Sequence, residues 1–139
     1  MSTEENKAIV RRVIEEIWSK GNLAAIDELI APNFVFHDPN FQLQGRDNFN
    51  QMVSATRTAF PDLHTTIDDL IAEGDKVVTR FTQRGTHTGE FVWFGLVPTG
   101  KQLTITGIEI TRIEAGKIAD RWLSLDLLGM LQQMGVVSL

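Results

Sequence analysis

Four side chains in this sequence stand out as candidates to move a proton or hold developing negative charge: His37, Asp38, His87 and Arg121. A histidine titrates near neutrality, so it can take a proton from a carbon next to a carbonyl and return one. His37 is followed directly by Asp38, whose carboxylate could orient the imidazole, although neighbours along a strand point to opposite faces. The competing reading of Asp38 is an Asx-turn before Pro39 and Asn40. His87 lies in Gly85-Thr86-His87-Thr88-Gly89, either at a functional rim or in a structural hydrogen bond. Arg121 stands among aliphatics and needs an anionic or carbonyl partner. It could polarise a carbonyl or hold an enolate, or simply form an ion pair. Glu109, flanked by isoleucines, reads first as a glutamate of an exposed or interface face. His64 reads as surface or capping, and Asp126 as a helix N-cap.

Much other chemistry is excluded. The chain has no cysteine, which removes thiolate nucleophiles, disulfides and Cys-ligated metals. Its three histidines lie far apart without ligand spacing, so no metal site is expected. Phosphate loops, nucleophile elbows and dinucleotide glycine patterns are missing. The 139 residues carry a formal charge of −5 with no basic stripe, which argues against nucleic acid. The start, MSTEENK, is not a secretory signal, and no apolar run approaches the ~20 residues that cross a bilayer. The expectation is one cytoplasmic domain over 1–139, with 42% hydrophobic residues to build a core.

The elements that must position these groups follow from periodicity. Ser2 and Glu5 have capping-box spacing. Ile9, Val10, Val13, Ile14, Ile17 and Trp18 recur on one helical face until Gly21 closes the helix. A shorter helix carries Leu23, Ile26, Leu29 and Ile30 and stops before Pro32. Phe34 to His37 alternates as a short strand. A third helix runs from about Asp47 to Phe60. From Leu63 the period becomes 2, predicting strands over 63–72, 76–88, 102–113 and 117–125, then a helix from Asp126 to Gly135.

Two hairpins set the registers. A Gly74-Asp75 loop places Asp69 opposite Arg80. A turn at Ala115-Gly116 places Ile110 opposite Arg121, Ile108 opposite Leu123 and Glu109 opposite Trp122. Arg121 then shares an apolar face with Ile108, Ile110, Leu123 and Leu125, the expected wall of a pocket. Gly107 sits where the alternation changes phase and suggests a bulge, which could instead turn Glu109 inward. Trp18, Phe36 and Phe60 are expected as core or cavity lining. Phe91, Trp93 and Phe94, in the loop over 89–100, are expected as a lid or ligand contact. The face with Ile113, Ile118 and Trp122 could serve as an interface. Helices gathered beside a strongly curved, mostly antiparallel sheet make an α+β domain around one apolar cavity.

At this point the residues resemble a known family. FVFHDPN at 34–40, FPDL at 60–63, EGDKVVTRFTQRGTHTGEF at 73–91, PTGK at 98–101, GIEITRIEAGKIADRW at 107–122 and DLLGMLQQMG at 126–135 together resemble the SnoaL-like polyketide cyclases, also called ester-cyclase-like proteins, of the NTF2-like superfamily. The resemblance spans nearly the whole chain. It implies a cone with one apolar cavity, a homodimer formed through the outer sheet face, and a small apolar carbonyl compound as partner. It also implies ring closure by intramolecular aldol condensation with no metal or cofactor. Relatives sharing the cone include epoxide hydrolases, isomerases and non-catalytic binding domains. The acid that cyclases carry one residue beyond the tryptophan is Leu123 here, and the histidine common just before it is Arg121. A non-catalytic binding protein is therefore the alternative to an enzyme.

Overall fold

The computed structural model describes residues 2–39 and 42–138, with the Trp93 side chain outside the described residues. The first helix, α1 (Thr3–Arg12), opens on the expected capping box: the Ser2 hydroxyl accepts from the Glu5 N–H, and the Glu5 carboxylate accepts from the Ser2 N–H, both at 3.1 Å. Its continuation, Val13–Ser19, widens into a π-helix that buries Val13, Ile14, Ile17 and Trp18. The carbonyls left over at its end are taken up by Arg57, whose guanidinium donates to Trp18 O at 2.8 Å and Ser19 O at 2.9 Å. Gly21 follows at φ +70°, and a Cβ there would stand 2.6 Å from Arg57 Nε, so glycine is required twice over.

A 3₁₀ turn (Leu23–Ala25) and α2 (Ile26–Leu29) lead into β1 (Ile30–His37). This strand starts earlier than alternation suggests and passes through Pro32, within a break of register between Ile30 and Val35. A short β2 (Gln42–Gln44), not foreseen from the sequence, pairs antiparallel with β1. Next come α3 (Arg46–Ala59), β3 (His64–Glu73), β4 (Lys76–Thr86), a 3₁₀ turn (Val92–Phe94), β5 (Gln102–Glu114), β6 (Lys117–Leu125) and α4 (Leu127–Met134).

The six strands form one curved, unclosed sheet in the order β2-β1-β6-β5-β4-β3. Every neighbouring pair is antiparallel except β1 with β6, which the intervening helix and strands make parallel. The helices pack against one face, and a single buried cluster joins α1, its π extension and α3 to that face. Asp69 lies opposite Arg80 as expected, at 2.7 Å.

The second hairpin departs from expectation. Its turn is as read, with Ala115 at φ 51° and Gly116 at φ 76°, a primed two-residue turn. Glu114 pairs with Lys117 and Ile113 with Ile118, but the register then shifts by one residue between Arg112 and Ile113. Ile118 and Ala119 are both buried, which marks the extra residue on β6. Beyond it Arg121 faces Thr111, Trp122 faces Ile110 and Leu123 faces Glu109. A one-residue slip exchanges the faces of a whole strand. Ile108 and Ile110, expected in the pocket wall, therefore lie on the outer face, 49% and 36% exposed. Glu109 is buried on the inner face instead. Ile113 and Ile118 are also buried inside, so they form no interface. At Gly107 the pairing of β5 with β4 runs on without a bulge. Glycine stands there because a Cβ would lie 2.6 Å from the Phe81 ring.

Candidate functional site

Between the sheet and the helices lies a cavity of about 470 Å³. Trp18, Phe36, Phe60, Phe91, Phe94 and Leu123 all line it. Each arrives from a different local cause. The π-helix carries Trp18, the alternation of β1 turns Phe36 inward, and Phe60 caps the end of α3. Phe91 is tied to Leu96 by paired backbone hydrogen bonds of 2.9 and 3.2 Å. Its ring sits edge-on to Phe60 at 5.7 Å and to Phe94 at 4.9 Å. Phe91 is buried and Phe94 is 44% exposed, so among the described side chains of the loop Phe91 belongs to the wall and Phe94 to the rim.

The polar part of this lining is small. Arg121 reaches it from β6, Asp38 from the end of β1, and Gln83, Arg84 and Ser124 add polar atoms from the strands. The Arg121 side chain is 7% exposed, and its Nε donates to Glu109 Oε2 at 2.7 Å. Its guanidinium carbon lies 5.0 Å from the Trp18 ring centre and 5.6 Å from that of Phe36. Cation–π attraction and the carboxylate together hold a charge that burial alone would expel. Among the described residues that bond to Glu109 is the one hydrogen bond Arg121 makes, so its remaining N–H groups can serve a ligand in the cavity.

Both histidines expected as acid–base groups lie elsewhere. His37 is on the outer face. Its ring stacks on Trp122 at 4.6 Å with the planes 8° apart, and Nε2 meets Asp120 Oδ1 at 2.9 Å. Gln42 approaches Nδ1 at 3.1 Å, and Asp120 in turn accepts from Arg112 Nε at 2.6 Å. The cause is plain alternation: Phe36 pairs with Arg121 and points in, so His37, paired with Trp122, points out. His87 is fully buried under the 88–101 loop and is not part of the cavity lining. Its Nδ1 accepts from the Thr99 N–H at 3.3 Å and lies 3.1 Å from the Thr99 hydroxyl. Burial pushes its pKa below the ordinary imidazole value, opposed in part by the nearby Gly89 backbone, and Nε2 has no hydrogen-bond partner among the described residues.

The site thus gathers Asp38 and Arg121 from the four expected groups and adds Glu109. The carboxylate of Glu109 was legible as an oddity, a charge between two isoleucines. Only the β6 bulge says which way it points. His64 is exposed, and Asp126 caps α4 by accepting from the Gly129 N–H at 2.9 Å. Among the described residues no cluster of His, Asp and Glu has the geometry to hold a metal ion. No helix among them is long and apolar enough to cross a membrane.

Comparison with known proteins agrees with this architecture. The family profile described as SnoaL-like polyketide cyclase matches residues 8–134. AclR from Streptomyces galilaeus, named a hydroxylase, superposes with a TM-score of 0.87 at 26% identity, covering 99% of this chain and 100% of its own. IdmH from Streptomyces antibioticus, named a polyketide cyclase, gives 0.80 at 31% identity over 94% and 98%. A protein of Acidithiobacillus ferrooxidans, also named a polyketide cyclase, gives 0.81 at 31% over 99% and 100%. No curated protein sequence matches significantly.

Proposed function

Because the chain belongs to the SnoaL-like polyketide cyclase family, we propose that it is a cofactor-independent enzyme of the cyclase type, acting on a small, apolar, uncharged carbonyl compound. One observation carries this reading: a buried guanidinium lies at a mostly apolar cavity whose lining also holds the carboxylate Asp38. Asp38 takes a proton from the carbon next to the substrate carbonyl. The electron pair left behind forms an enolate, whose oxygen accepts from the N–H groups of Arg121 that Glu109 does not use. The enolate carbon then bonds to a second carbonyl carbon of the same molecule. That carbonyl oxygen takes up the proton, so the product is an isomer of the substrate. Glu109 already neutralises Arg121, so a carboxylate ligand would leave an uncompensated charge against apolar walls. This favours a neutral ketone or ester.

A specific observation favours a second reading. Leu123 lines the cavity at the position where the resemblance implies an acid. On that reading the cavity binds a flat carbonyl compound and leaves it unchanged. The two readings separate with 2-tetralone as probe, by following hydrogen–deuterium exchange next to its carbonyl in D₂O by NMR. Exchange above the buffer rate that is lost in Asp38→Asn and in Arg121→Met supports the enzyme. Saturable binding with exchange at the buffer rate supports the binding protein.

A further inference from the structure

Behind the Arg121 guanidinium a second, much smaller recess adjoins the cavity. It has about 10 Å³ of room for the centre of a water molecule and is lined by Ile14, Trp18, Thr65, Phe81, Gln83, Glu109 and Arg121. Trp18, Phe81, Gln83 and Arg121 line the main cavity as well. A site of this size holds about one water, provided that two to four polar groups converge on it.

The polar inventory around the recess is unbalanced. A carboxylate offers about four acceptor positions, yet among the described residues Glu109 receives only the Arg121 Nε–H. Glu109 is 5% exposed, so bulk solvent does not supply the rest. Gln83 and Thr65 meet only through a long contact of 3.4 Å, which leaves amide and hydroxyl capacity unused. Buried polar groups in folded proteins are satisfied, by ordered water where the protein does not reach.

We propose that Thr65, Gln83, Glu109 and Arg121 form a binding site for a single internal water. The water donates to the Glu109 carboxylate and accepts from the side chains facing it. It completes the shell of the ion pair, keeps the guanidinium turned toward the cavity, and places a protic group in the wall that the ligand touches. The site depends on the ion pair and the recess, not on turnover, so it stands whether the cavity catalyses or only binds.

Water ¹⁷O relaxation dispersion on the wild-type protein and on Gln83→Met counts internal waters of long residence, and a crystal structure locates them. The expected result is the loss of about one such water in Gln83→Met, with wild-type density within hydrogen-bond reach of Glu109 and at least two of the other three side chains. Equal water counts, or a wild-type crystal structure with no ordered water among these four residues, would overturn the proposal. Thr65→Val, which keeps volume and removes one partner, gives an independent second comparison and is expected to shorten the water's residence.

Discussion

Glu109 Oε2 and Arg121 Nε meet at 2.7 Å with each side chain 7% exposed, joining β5 to β6 beneath the cavity. Removing one partner strands the other charge in a buried setting, which costs about 3–5 kcal/mol. Replacing both at once by apolar groups of similar size costs far less, because no charge is left uncompensated. We expect Glu109→Leu and Arg121→Met each to destabilise by that amount in urea unfolding. The double variant should recover most of the loss. Additive losses would show that the pair is not coupled.

That pair also marks where the sequence stops being readable. The first helix, the third helix and the Asp69–Arg80 register follow from capping, spacing and turn chemistry, all of which are local. The wrong face of β5 follows from one extra residue on β6. Ile118 and Ala119 offer two successive apolar positions, and the tertiary core accepts both, so the turn at Ala115-Gly116 governs only the first two pairs. His37 faces outward for a different reason. Phe36 and His37 alternate, and only the β1–β6 pairing tells which of them shares a face with Arg121. β2 has only three residues and no pattern of its own. The cavity aromatics were legible because size and apolarity leave large rings few places other than core or lining.

His87 makes stability depend on pH in a defined window. Burial lowers its folded pKa below the ordinary 6.5, so the unfolded chain binds more protons as the solution is acidified. The neutral imidazole's contribution is complete above about pH 6.5. It is lost as pH falls from there toward the lower folded value. Asp62, held low by the Thr86 N–H and hydroxyl, loses its contribution only below its ordinary 3.8. Thermal unfolding between pH 7.5 and 5 should therefore show a falling Tm in the wild type and a flatter profile in His87→Leu. Parallel profiles would show that His87 is not the group responsible.

Across the outer face, paired residues place Ile71, Val78, Ile110, Trp122 and His37 in one row that crosses five strands. Ile71 is 62% exposed, with Ile108 beside the row at 49%. We propose this exposed apolar strip on the outer sheet face as the surface that the homodimer implied by the resemblance would bury. Sedimentation at micromolar concentration should give a dimer for the wild type. Ile108→Asp combined with Ile110→Asp should shift it to monomer with unchanged circular dichroism. A monomeric wild type would remove the dimer from the account.

Leu123 is a natural place to change the chemistry of the cavity. It lines the wall directly opposite Glu109 across the β5–β6 ladder and is only partly buried. A carboxylate there would face the cavity beside Glu109, which already neutralises Arg121, so burial and the like charge would raise its pKa toward the range that suits a general base. Leu123→Asp should raise carbonyl-adjacent exchange of 2-tetralone by about 10²-fold, the lower range for a positioned general base. It should do so even when Asp38→Asn is present, because the new base acts from a different strand. A gain that disappears with Asp38→Asn would mean that the original carboxylate still takes the proton. No gain, with tetralone still bound, would mean that the wall at position 123 stands too far from the reacting carbon.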